Sequence, residues 1–297
     1  MAEHMNGYED YWLTSPDGLG LYARDYPNAE APLPVLCLHG LTRNAADFEA
    51  LAQSLQDRHR LIVMDQRGRG RADYDPNPAN YNVMTYVTDT FALLDQLEIT
   101  QVALIGTSMG GLMAMLMASQ QPGRFRGVVL NDVGPVVDAA GIARIQSYVG
   151  RPAEITSWAD AAELARANNQ IAFPDWNDDD WLAFAARTFV ANESGVPALA
   201  YDPAISAPLT DDQASAVPPD LWPVFDAMAD VPTLVVRGVT SDILSRQTLQ
   251  EMRKRHHDFA SVEIPDRGHA PTLDEALAFK AIEGFLARIE ANLVAIG

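Results

Sequence analysis

The pentapeptide Gly106-Thr107-Ser108-Met109-Gly110, with Gly111 behind it, is the part of this chain best suited to covalent chemistry. Four apolar residues, Val102-Ala103-Leu104-Ile105, precede it and read as a short buried strand. A run of good helix formers over 112–121 follows. A strand, a tight glycine-flanked turn and a helix form the setting of a nucleophile elbow, in which a serine hydroxyl stands clear of the backbone. The dipole and free N–H groups of the helix N-terminus favour negative charge at that point. A serine hydroxyl is a poor nucleophile and needs a base. His269, in Gly268-His269, can take its proton and later return it to the leaving group. Asp242 can fix the imidazole tautomer and stabilise the imidazolium. The order Ser108, Asp242, His269 along the chain is the one that accompanies this elbow. An acyl-transfer intermediate also needs donors aimed at its oxygen. The N–H of Met109, next after the serine, and that of Leu41, after His39-Gly40, are the candidates.

Asp132 competes for the acid role, because it too follows an apolar strand. Asp242 is preferred, since its loop leaves the strand nearest the one that carries His269. His39 is expected to order the loop of Leu41, and stands with Arg43, Asp132, Trp158, Trp181 and Trp222 as a candidate for contact with substrate. The histidines at 4, 59, 256 and 257 sit in polar or charged contexts and read as solvent-facing. Asp65 and Arg67 read as turn formers near the mouth of the site.

These residues need a scaffold that brings distant loops to one edge. Two strands around Ser15-Pro16-Asp17-Gly18 read as a hairpin. Short apolar strands then alternate with helices through residue 135. This predicts a mostly parallel sheet covered on both faces, with ligands at the carboxyl ends of its strands. Residues 136–228 carry no convincing central strand. Helices are expected over 139–149, 158–168, 180–191 and 221–229, forming a cap over the catalytic edge. Four of the five tryptophans fall in this insertion. Two more strands, a helix over 245–254 and a terminal helix over 273–289 complete the sheet. The expected division is therefore a core of 1–135 and 229–297, and a helical cap of 136–228.

The formal net charge of −19 repels phosphate backbones and anionic membranes, so neither nucleic acid nor a lipid surface is an expected partner. The single cysteine, Cys37, lies in an apolar run and reads as a buried small residue. No secretory h-region, membrane-length apolar run, metal-ligand spacing or phosphate loop is evident, and a cytoplasmic, cofactor-free, metal-free protein is expected.

The chain resembles the α/β-hydrolase superfamily over nearly its whole length. The resemblance rests on His39-Gly40, Asp65-Gln66-Arg67-Gly68-Arg69-Gly70, the elbow, Arg237-Gly238-Val239-Thr240-Ser241-Asp242 and Gly268-His269. It implies an eight-stranded, mostly parallel sheet, a helical cap between the sixth and seventh strands, and a cofactor-free Ser-His-Asp hydrolase. Serine at the elbow argues against the dehalogenase and epoxide hydrolase branches, which place aspartate there. The expected reaction is cleavage of small to medium, apolar carboxylic esters through an acyl-enzyme. Lactones and the C–C bonds of ring-cleavage products are the alternative substrates. A small-molecule receptor on the same fold is the non-enzymatic alternative.

Overall fold

The computed structural model describes residues 7–151, 154–210 and 220–296. Ten strands run as β1 Glu9–Thr14, β2 Gly20–Tyr26, β3 Val35–Leu38, β4 Leu61–Asp65, β5 Val102–Thr107, β6 Phe125–Asn131, β7 Phe189–Ala191, β8 Pro197–Leu199, β9 Thr233–Gly238 and β10 Phe259–Ile264. Eight of them form one sheet in the order β1-β2-β4-β3-β5-β6-β9-β10. The pairs β1/β2 and β2/β4 are antiparallel and the rest are parallel.

The interior strands carry apolar central runs because both faces are covered. In β3, Leu36 and Leu38 join the core on one face while Val35 and Cys37 join the core on the other. Burying a Leu or Val side chain in this way contributes roughly 2 kcal/mol. The helices are α1 Glu49–Leu55, α2 Val83–Gln96, α3 Met109–Gln120, α4 Ala139–Gln146, α5 Trp158–Asn169, α6 Asp178–Thr188, α7 Ala207–Thr210, α8 Trp222–Ala227, α9 Arg246–Arg255 and α10 Ala276–Ile296. The Met- and Ala-rich helix α3 is buried on nearly all sides, with Met113, Ala114, Met115 and Met117 at zero exposure.

Among the described residues between β6 and β9, the regular structure is helical apart from β7 and β8. The side chain of Ser157 caps α5 and that of Asn177 caps α6, each in a reciprocal box with an aspartate three residues on. The helix expected to reach 191 stops at Thr188. Phe189–Ala191 instead pairs with Pro197–Leu199 as a small antiparallel hairpin. Its turn is closed by hydrogen bonds to Asn192 and by Gly195 at a φ of 79°. The terminal helix begins three residues later than expected and runs longer, because Thr272 and Leu273 give their N–H groups to Glu275 in the preceding turn. His4, and residues 152–153 and 211–219 of the expected cap, lie outside the described residues. No helix among those residues is long and apolar enough to cross a membrane.

Candidate functional site

Ser108 sits between β5 and α3 with φ 52° and ψ −113°, a strained conformation for a residue with a Cβ. Two close approaches make this turn possible. A Cβ on Gly106 would lie 2.3 Å from the carbonyl oxygen of Gly110, and one on Gly110 would lie 2.1 Å from that of Leu38. Strand and helix pack so tightly here that only hydrogen fits at either position.

His269 approaches on the loop after β10. Its Nε2 is 2.8 Å from Ser108 Oγ. Its Nδ1 is 2.8 Å from Asp132 Oδ2, which corrects the expected placement of Asp242 beside this ring. Asp132 is fully buried at the end of β6, with φ 57°. Its Oδ1 accepts the Gly238 N–H at 2.9 Å, and its Oδ2 also accepts the Ser241 hydroxyl at 2.6 Å. A buried carboxylate must be satisfied in this way to be tolerated. Ser241 Oγ in turn accepts the N–H groups of Ile243 and Leu244, so the whole loop folds back onto Asp132.

Asp242, the next residue, is thereby turned away towards α4. Arg144 holds it with a two-pronged pair, Nε at 2.6 Å and the terminal nitrogen at 2.9 Å. Burial raises the Asp242 pKa, but the guanidinium outweighs that and the net shift is downward. Ser241 is the residue missed from sequence. A serine one position before a loop aspartate carries no signal of its own until its partner is known.

The loop of Leu41 lies against the nucleophile, for a Cβ on Gly40 would be 3.7 Å from that of Ser108. His39 Nε2 accepts the Gln66 N–H at 3.1 Å, so Nδ1 carries the proton and donates to the Gly40 carbonyl at 2.7 Å. Arg69 Nε donates to the Leu41 carbonyl at 2.9 Å. With both carbonyls held, the Leu41 N–H has no acceptor among the described residues. Met109 is the first residue of α3, where an N–H has no carbonyl four residues back within the helix. Two N–H groups beside Ser108 are thus left without a backbone acceptor among the described residues.

His39 is fully buried and lines neither cavity that reaches Ser108, so it orders the loop and does not contact substrate as expected above. Burial lowers its pKa to about 4. The unfolded chain therefore binds one more proton than the native state between that value and the ordinary histidine range near 6.5. Stability supplied by neutral His39 is present above the unfolded value and is lost as pH falls through it towards 4. Over that window the loss is on the order of 3 kcal/mol. Denaturant titrations from pH 7 to 4 are expected to show a steeper decline for the wild type than for His39→Gln. Parallel curves would exclude this coupling.

Two chambers meet at Ser108. An apolar one of about 360 Å³ is lined by Leu41, Met109, Leu112, Val137, Ile142 and Ile243. A more polar one of about 80 Å³ is lined by Arg43, Tyr148, Asn169, Arg187 and His269, together with Phe48, Ile145 and Phe173. Arg43 thus borders the site as expected, and Tyr148, Asn169 and Arg187 join it from the insertion. The tryptophans do not. Trp181 is buried in the insertion's own core, with Trp158 packed against it. Trp222 packs near Phe225, and the Arg255 guanidinium lies 4.2 Å from its ring centroid. Trp181 joins Phe173, Trp176 and Phe184 in one aromatic cluster, with Phe173 stacked on Trp176 at 3.9 Å.

Other polar residues also moved inward relative to expectation. His59 and His256 are buried, the latter between Phe225 and Phe259, while His257 is exposed. Arg67 is buried among Asp17, Asp75 and Asp89 rather than at the mouth. Asp65 is buried and accepts the N–H groups of Ala45 and Arg71; burial raises its pKa to about 6 despite them. Cys37 is buried as expected, and burial raises its pKa.

The comparisons agree with this architecture. The profile of the alpha/beta hydrolase family matches residues 35–282. A 3-hydroxybutyrate-oligomer hydrolase of Cupriavidus necator is 34% identical over 265 residues, 87% of this chain and 90% of that protein. A 2-(acetamidomethylene)succinate hydrolase of Mesorhizobium japonicum is 26% identical over 85% of this chain and 87% of its own length. Among solved structures, an alpha/beta hydrolase from Novosphingobium aromaticivorans superposes with a TM-score of 0.90 at 44% identity, covering 96% of this chain and 99% of that one. With the parallel sheet, the strained serine turn and the profile in agreement, the chain belongs to the alpha/beta hydrolase family.

Proposed function

We propose that this protein is a serine hydrolase that cleaves carboxylic esters of small to medium size through an acyl-enzyme. The observation that carries the reading is the continuous hydrogen-bonded relay Ser108–His269–Asp132, with both imidazole links at 2.8 Å. Imidazole Nε2 removes the Ser108 proton as Oγ attacks the ester carbonyl. Asp132 holds the Nδ1–H tautomer and stabilises the imidazolium. The N–H groups of Leu41 and Met109 receive the oxyanion, whose stabilisation is worth about 3–4 kcal/mol per donor in related chemistry. The imidazolium then protonates the departing alcohol. Water, deprotonated by the same nitrogen, cleaves the acyl-serine.

The apolar chamber supports an aliphatic acyl chain, and the described helices between β6 and β9, with Ile142 in that lining, act as its cap. The Cupriavidus relative, named a hydrolase of 3-hydroxybutyrate oligomers, supports an ester as the bond cut. The test is 4-nitrophenyl butyrate turnover together with a fluorophosphonate. Saturable hydrolysis and a stoichiometric adduct on the peptide containing Ser108 are expected. Hydrolysis no faster than in buffer, with no adduct, would refute the reading.

A further inference from the structure

The two chambers divide the substrate between them. His269 borders the polar chamber and not the apolar one. A leaving oxygen must come within hydrogen-bond reach of Nε2 to receive its proton. The alcohol portion of an ester therefore occupies the polar chamber, and the acyl chain takes the apolar one.

The charges in the polar chamber do not balance. Arg43 is bound to Asp47 through Nε at 3.0 Å and a terminal nitrogen at 2.6 Å. Arg187, half-buried in the last turn of α6, forms no ion pair and no side-chain hydrogen bond among the described residues, and its Nε is buried without an acceptor. Both guanidiniums lie near one ring, 4.0 and 6.0 Å from the Phe184 centroid. With two arginines and one aspartate, the charged pairs leave one positive charge in excess, in a chain whose net charge is −19. An unpaired buried donor on a guanidinium is costly unless a partner arrives. A carboxylate suits the terminal nitrogens of an arginine and would balance the excess charge from the chamber side.

We propose that Arg187 binds a free carboxylate on the alcohol side of the substrate, which makes that substrate an apolar acyl ester of a hydroxycarboxylic acid. This rests on the serine hydrolase reading above. Ser108 Oγ forms a bond to the acyl carbon, and the bond from that carbon to the hydroxy-acid oxygen breaks. The His269 proton passes to that oxygen, and the hydroxy acid leaves with its carboxylate on Arg187. Water then releases the acyl group as a carboxylic acid.

O-butyryl lactate and its methyl ester at the lactate carboxyl separate the possibilities, beside monoethyl succinate and ethyl butyrate, which place the charge on the acyl side. The wild type is expected to favour O-butyryl lactate over its methyl ester by roughly ten- to a hundredfold in kcat/KM, mostly through KM. That ratio is expected to fall towards one in Arg187→Gln and to persist in part in Arg187→Lys. No advantage should attach to monoethyl succinate. Turnover of the methyl ester with no advantage for the free acid overturns this inference alone. So does an advantage that survives in Arg187→Gln, or one that belongs to monoethyl succinate. Failure to cleave any of the four esters, with no fluorophosphonate adduct at Ser108, overturns the hydrolase reading and this inference together.

Discussion

Asp132→Asn is expected to lower kcat/KM for an activated ester by about four orders of magnitude, while Asp242→Asn costs less than about tenfold. An asparagine amide beside Nδ1 would donate where the carboxylate accepts. It would hold the imidazole in the tautomer with its proton on Nε2, and leave Ser108 without a base. The Gly238 N–H can still be accepted by the amide oxygen, so the loop retains that anchor. Asp242→Asn breaks only the partly exposed pair to Arg144, and is expected to cost on the order of 1 kcal/mol of stability. Kinetics of both variants, with denaturant midpoints to separate activity from folding, decide the matter. A severe loss in Asp242→Asn with a mild one in Asp132→Asn would return the acid role to Asp242.

Ser108→Gly is expected to lose activity and gain stability at the same time. Removal of the nucleophile alone lowers kcat by roughly 10⁶-fold where such a relay operates. The φ of 52° at this position costs a residue with a Cβ about 1–3 kcal/mol, and glycine adopts it freely. Glycine gives back about 0.5–1 kcal/mol in unfolded-chain entropy. Ser108→Gly should therefore exceed Ser108→Ala in unfolding free energy by about 1 kcal/mol, with both equally inactive. Alanine lacks the hydroxyl but keeps the strained Cβ. Measured unfolding curves that rank alanine above glycine would show that the turn stores no strain. A loss of activity below a hundredfold would place the nucleophile elsewhere.

Legibility followed the range of the interactions. Strand positions were readable because a strand covered on both faces has an apolar central run, as over 102–105 and 234–236. The elbow was readable because its glycines answer a local clash. The hairpin at Phe189 was not, since two three-residue strands carry too short a pattern to set against the helix before them. Nor were the buried positions of Arg67 and His256, because burial of a polar group depends on partners that come from other segments.

The residue sequence by itself determined a covered parallel sheet, a serine held at a strained turn, a histidine on a late loop, and the loop of Leu41 beside them. Each of these is written in a contiguous stretch of chain. Two acidic residues, Asp132 and Asp242, both follow strands at the same edge, and nothing local distinguishes them. Tertiary structure decided between them through hydrogen bonds across loops: Gly238 and Ser241 draw their loop onto Asp132, and Arg144 claims Asp242. The same holds for Arg187, whose uncompensated charge exists only once the chain between β6 and β9 brings it to the chamber that Ser108 also lines.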